Sequence, residues 1–177
     1  TEHSSPTVTD CTFRDNVAED SYDGSFGGGI YNEIGSSPTI TGSAFENNTA
    51  DNAGGGIYSQ DGTLTLSNCT FTGNTANGVE ESDGGGGVYG SGESSLSVTG
   101  CTFSGNTAKA GGGICNPDGI LTVSDCTFTG NTSDGDGDTW VYGGGGIYGG
   151  GDLRITDSAF SENMAYRGGG MAVSSAV

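Results

Sequence analysis

Basic residues are almost missing from this chain. Lys109, Arg14, Arg154 and Arg167 stand against 22 acids, for a formal net charge of −18. Such a surface repels phosphate backbones and anionic headgroups, which argues against nucleic-acid binding and against docking on acidic membranes. It suits high salt, divalent cations or plain solubility. Long hydrophobic runs are missing too: there is no stretch of 18 apolar residues, so no direct membrane insertion by a helix is expected. Histidine occurs once, as His3, which leaves no histidine cluster for a metal. With no initiator Met and no signal peptide, the chain reads as a processed or excised piece of something longer. Only 31% of the residues are hydrophobic, poor material for a conventional core. Such composition means disorder unless a repeat buries a thin, regular core.

What the chain does have is glycine, 37 of them, and a repeat. Phe-x-x-Asn occurs six times, at Phe13/Asn16, Phe45/Asn48, Phe71/Asn74, Phe103/Asn106, Phe128/Asn131 and Phe160/Asn163. Each copy is followed by three glycines and an apolar residue, as in Gly54-Gly55-Gly56-Ile57 and Gly111-Gly112-Gly113-Ile114. From Phe to Phe the spacing is 32, 26, 32, 25 and 32 residues, the period of a solenoid. Before each Phe the residues alternate, as in Leu64-Thr65-Leu66-Ser67 and Leu96-Ser97-Val98-Thr99. Period two with β-branched residues predicts strands, apolar side inward. No segment has a helical period. The expected fold is therefore all-β: a parallel β-helix of about six coils, alternating long and short, with residues 1–177 as one domain or assembly unit. At about 4.8 Å per coil the rod is roughly 30 Å long.

Each repeated position has an expected task. The six Phe residues stack, each burial contributing about 1.5–3 kcal/mol. The Asn residues fit a tight turn, tolerate left-handed geometry and can form an amide ladder. The glycines permit positive φ and close approach of neighbouring coils. Two residues before each Phe stands Cys11, Ser43, Cys69, Cys101, Cys126 or Ser158, a small inward position in which serine and cysteine interchange. Cys115 stands where other coils carry Tyr31, Tyr58, Tyr89 and Tyr148. Five cysteines cannot all pair within the chain, and parallel side chains in a ladder have poor disulfide geometry, so buried free thiols are expected.

Phe-x-x-Asn followed by Gly-Gly-Gly-Ile resembles the repeats of the chlamydial polymorphic outer-membrane proteins and related bacterial, archaeal and algal surface proteins. Those carry Phe-x-x-Asn and Gly-Gly-Ala-(Ile/Leu/Val). The resemblance spans nearly the whole chain. It implies a right-handed parallel β-helix, extracellular or on the cell surface, with adhesion or surface structure as its role. It carries over no catalytic residue, because the motifs are architectural, and this chain lacks the barrel that anchors those proteins.

Decoration is expected where the repeat lengthens. Segments 17–26, 75–84 and 132–143 are read as three loops on one edge, on alternate coils. All are acidic: Glu19, Asp20 and Asp23; Glu80, Glu81 and Asp83; Asp134, Asp136 and Asp138. Asp134, Asp136 and Asp138 alternate with glycine as in the first half of many Ca²⁺ loops, making them a candidate metal site. An EF-hand is rejected, since the sixth position is Thr139 and the twelfth Gly145. Trp140 follows, as a packing residue or a partner or sugar contact. Asn47, Asn68 and Asn131 fit the N-glycosylation pattern.

No catalytic residues and no required cofactor are expected. Paired carboxylates hydrolyse glycosides on some β-helices, but here the acids sit on glycine-rich loops and no nucleophile motif appears. Ice binding is the sharper alternative. Thr7/Thr9, Thr39/Thr41, Thr65/Ser67, Ser97/Thr99, Thr122/Ser124 and Arg154/Thr156 are expected outward as two hydroxyl columns, although Thr is also simply a good strand residue. Neither end shows a polar cap, so end-to-end self-association is expected alongside contacts with surface proteins or glycans. The favoured reading is a non-catalytic structural or adhesive element.

Overall fold

The computed structural model describes residues 4–19, 24–78, 83–135 and 143–174. Among these, every regular element is a strand and every strand pairing is parallel. Successive coils build four sheets, three of six strands and one of five. Sheet A holds Thr7–Thr9, Thr39–Thr41, Thr63–Ser67, Ser95–Thr99, Ile120–Ser124 and Asp152–Thr156. Sheet B holds Thr12–Arg14, Ala44–Glu46, Thr70–Thr72, Thr102–Ser104, Thr127–Thr129 and Ala159–Ser161. Sheet C is made of two-residue strands, Val17–Ala18, Thr49–Ala50, Thr75–Ala76, Thr107–Ala108 and Thr132–Ser133. Sheet D holds Ile30–Asn32, Ile57–Gln60, Val88–Ser91, Ile114–Asn116, Ile147–Gly149 and Met171–Val173. The expected six-coil parallel β-helix is what forms.

The alternation read in the sequence puts Leu64, Leu66, Leu96, Val98, Leu121 and Val123 inside and their Thr and Ser neighbours outside. Phe13, Phe45, Phe71, Phe103, Phe128 and Phe160 form one column. Their ring centroids are 4.7–4.8 Å apart with planes within 4°, which is the coil repeat measured directly. Beside it, Asn16, Asn48, Asn74, Asn106, Asn131 and Asn163 form the amide ladder. Each Nδ2 donates to the Oδ1 of the next coil at 2.8–2.9 Å, and that Oδ1 also accepts the backbone N–H of the donor residue. Each Nδ2 from Asn48 onward donates its other hydrogen to the carbonyl of a Phe one coil back. A buried amide is thereby fully satisfied, as burial demands. Asn131 is fully buried in this ladder, so it is no glycan acceptor in the folded chain.

Two sequence readings need correction. The ladder asparagines do not take the left-handed conformation; the residue before each one does, at Asp15, Asn47, Gly73, Gly105, Gly130 and Glu162. A second left-handed column, Asp10, Gly42, Asn68, Gly100, Asp125 and Asp157, turns the chain from sheet A to sheet B. Asn, Asp and Gly populate this region at least cost, so part of the chain's acidity serves its corners. The segments 17–26, 75–84 and 132–143 are also not loops throughout. Each opens with a strand of sheet C, and most of the added residues enter between sheets C and D. Two-residue strands carry too little periodicity to be read from sequence.

The glycine runs behave as expected. In Gly85-Gly86-Gly87 the first has φ +66°, and a Cβ on the second would lie 2.5 Å from the Gly112 carbonyl oxygen. A Cβ on the third would meet that of Gly113 at 2.6 Å and the Phe103 ring at 2.9 Å. The triple glycine is thus the space into which the neighbouring coil's backbone and ring fit.

Candidate functional surfaces

Sheets A, B and C present outer faces built on one chemistry. On sheet A the register aligns Thr7, Thr39, Thr65, Ser97, Thr122 and Arg154 in one column and Thr9, Thr41, Ser67, Thr99, Ser124 and Thr156 in a second. These are the two columns expected from the sequence. Sheet B continues the pattern with Thr70, Thr102 and Thr127 and with Thr72, Ser104, Thr129 and Ser161. Sheet C adds Thr49, Thr75, Thr107 and Thr132. The hydroxyls therefore stand on a grid of about 4.8 Å between coils and about 6.7 Å along a strand. Neighbours touch at Thr99–Ser124 and Thr129–Ser161, both 3.1 Å.

Charge is sparse on the strands of these sheets. Their outward strand positions hold two carboxylates, Glu46 and Asp152. Each is paired with an arginine: Arg14 to Glu46 at 2.6 Å and Arg154 to Asp152 at 2.9 Å. On a chain of net charge −18, the outward strand positions of these sheets thus carry no net charge, while exposed acids stand at the corners, Asp10, Asp125 and Asp157 between sheets A and B and Asp15 and Glu162 after sheet B.

Sheet D differs, because both of its sides are apolar. Ile57, Val88, Ile114 and Ile147 point into the main core. On the other side Tyr58, Tyr89, Cys115 and Tyr148 form a second buried cluster with Ala53 and Ala110, joined by Phe26 and Ala172. Tyr31, Tyr58 and Tyr89 stack at 5.4 Å, and Phe26 lies against Tyr58 at 4.5 Å. Burial pushes the Tyr58 and Tyr89 phenols and the Cys115 thiol above their ordinary values. Sequence reasoning noticed that Cys115 occupies a tyrosine position but missed this cluster. The signal was there: Ile-Tyr and Val-Tyr pairs break the in-out alternation, as strands covered on both faces do.

The expected small inward column is also in place. Cys11, Cys69, Cys101 and Cys126 each direct the thiol at the carbonyl two residues earlier, and Ser43 and Ser158 do the same with hydroxyls. The backbone N–H of Cys69 donates to Cys101 Sγ and that of Cys101 to Cys126 Sγ, both at 3.3 Å. Hydrogen bonding to the Cys126 and Cys69 side chains, with Cys101 as the protonated partner, together with burial pushes the Cys101 thiol up. All five cysteines are free; four are buried and Cys11 is exposed.

Of the acidic groups expected on the loops, Asp134 and Glu19 are exposed and Asp83 is buried beside the tyrosine cluster. Asp136 and Asp138, like Asp20, Asp23, Glu80, Glu81 and Trp140, lie outside the described residues, so the Ca²⁺ reading stays with the sequence. Among the described residues no three of His, Cys, Asp and Glu come together in a metal-sized group. No curated protein and no solved structure matches the chain. Six parallel coils, four sheets and continuous inward ladders agree with the family whose pattern matches residues 1–176: the chain belongs to the right-handed β-helix family.

Proposed function

We propose that this chain is a non-catalytic structural and adhesive β-helix, extracellular or on the cell surface, that lays a hydroxyl face against a regular, uncharged surface. One observation carries the reading: the only carboxylates on the outward strand positions of sheets A to C are neutralised by two of the chain's four basic residues. Solubility alone asks for dispersed charge, whereas here the acids stand at the corners and the strand positions between them carry no net charge. The similarity of the repeats to those of chlamydial and related surface proteins supports the same reading. The test is a depletion assay on microcrystalline cellulose and chitin. The wild type binds, and Thr65→Glu/Thr122→Glu, which places unpaired carboxylates on sheet A, binds about tenfold more weakly. Undiminished binding by that variant, or retention only on charged supports, sinks the proposal. Release of reducing sugar would replace it with a polysaccharide-active enzyme.

A second reading, ice binding, is favoured by the in-register pairing of the two sheet A columns. Thermal hysteresis that disappears in the same double variant supports it, and its absence in the wild type removes it. Self-association has its own support in the polarity of the amide ladder. Asn16 offers an acceptor Oδ1 towards one end and Asn163 a donor Nδ2 towards the other. Stacking that prolongs the ladder is head to tail and therefore open-ended. Electron microscopy would then show rods that lengthen with concentration; single particles at high concentration oppose it.

A further inference from the structure

We propose that the outer face of sheet A takes an amino-polysaccharide: a largely acetylated, chitin-like polymer in which a minority of the sugars carry free ammonium groups. This deepens the adhesive reading and rests on it. That reading supplies a hydroxyl floor, and a charged edge now selects the polymer. The floor is continuous on three consecutive inner strands, Thr63–Ser67, Ser95–Thr99 and Ile120–Ser124. Every outward position there carries a hydroxyl except Ile120, which is 48% exposed. No aromatic ring stands among them, so affinity is built from hydrogen bonds repeated coil after coil and not from stacking on one sugar.

Charge separates the two edges of this floor. Two residues ahead of the register-aligned Thr63, Ser95 and Ile120 stand Asp61, Glu93 and Asp118, all exposed. They make a row of carboxylates, one per coil at the coil spacing of about 4.8 Å. The Glu93 N–H donates to Asp61 Oδ1 at 3.0 Å, which ties two members of the row together. Neither ion pair of the described residues involves the row. Beyond the other edge the same strands run into Asn68, Gly100 and Asp125, with a single carboxylate. An uncharged glucan would match the hydroxyls and leave the row without a counter-charge. An anionic polysaccharide would be repelled, and a cationic peptide would leave the hydroxyls unmatched. A polymer with hydroxyls throughout and occasional ammonium groups meets both features, its amines reaching the row in charge-assisted hydrogen bonds. Ile120, next to the row, offers hydrocarbon to an acetamido methyl.

The experiment compares depletion onto acetylated chitin, the same chitin partly deacetylated, and cellulose, below the pH at which the polymer amines lose their protons. In dilute buffer the wild type binds the deacetylated form about tenfold more tightly than the acetylated one, and added salt erodes that advantage. Asp61→Asn/Glu93→Gln/Asp118→Asn removes most of the advantage and leaves binding to acetylated chitin and cellulose unchanged. Asp15→Asn/Asp134→Asn/Glu162→Gln changes the net charge by the same amount away from sheet A and keeps the advantage. Thermal melting checks that both variants are folded. Glucosamine oligomers compete more strongly as they lengthen, and oligolysine of equal charge competes poorly. Equal binding of the two chitins, equal loss of the advantage in both variants, or oligolysine competing as well as the amino-sugar oligomer each overturns the proposal. Absence of binding to acetylated chitin and cellulose alike refutes the adhesive reading and this proposal with it. A missing preference on chitin that is bound refutes this proposal alone.

Discussion

Asn106 shows what a single residue does in this fold. Its Oδ1 accepts from the side chain and the backbone of Asn74, and its Nδ2 donates to Asn131 and to the Phe71 carbonyl. Asn106→Leu would remove all four bonds and strand buried polar groups on two neighbouring coils. Chemical denaturation should show a loss of about 2–4 kcal/mol, with the midpoint moving and the slope unchanged. Glycine positions separate into two kinds in the same way. A Cβ at Gly86 collides with backbone of the next coil, whereas Gly105, with φ +61°, has no atom within 4 Å of where its Cβ would stand. Gly86→Ala should therefore cost several kcal/mol, on the order of overpacking or more, while Gly105→Asn should be nearly neutral. Equal effects of the two substitutions on thermal stability would contradict this assignment. The corner column also contains Glu162 at φ +56°, a side chain poorly suited to that conformation. Glu162→Asn should stabilise by about 0.5–1 kcal/mol.

At the scale of the elements, strands with strict alternation were legible and those without it were not. Sheets A and B follow from Leu-x-Leu and Thr-Phe-Thr patterns, and their outward columns fell where the sequence placed them. Sheet C escaped because two residues make no period. The outer cluster on sheet D escaped because a second apolar face looks, in sequence, like one more core position. That second cluster has a measurable signature in alkali. Tyr58, Tyr89 and Cys115 are held protonated in the folded chain, above ordinary values of 10 for the phenols and 9 for the thiol. The unfolded chain releases these protons first as pH climbs. Stability is thus intact below about pH 8.5 and falls through pH 9–11, by up to about 1.4 kcal/mol per pH unit for each group. Tyr89→Phe should flatten that decline by one group's share. A stability curve level up to pH 11 would show that the cluster opens to water.

Over the whole molecule, the coils differ in length but share the same ladders, so cohesion is repeated at every junction. The hydrogen bonds between coils, backbone and amide alike, run along the rod axis. Consider force applied to the two ends of the chain. Those bonds then face the pull one coil at a time, as in opening a zip, and the Phe and Asn columns part with them. Resistance should be modest and rhythmic: each released coil frees the 25 or 26 residues of a short repeat or the 32 of a long one. At about 3.4 Å per residue these steps are roughly 85–90 Å and 110 Å. Stretching between the two termini in a single-molecule instrument should give a sawtooth in which short and long steps alternate. A load shared laterally across sheets A to C meets many junctions at once, and there the same rod is stiff. A body that yields when tugged by its tail but holds when gripped along its flank is well shaped for attachment by the flank.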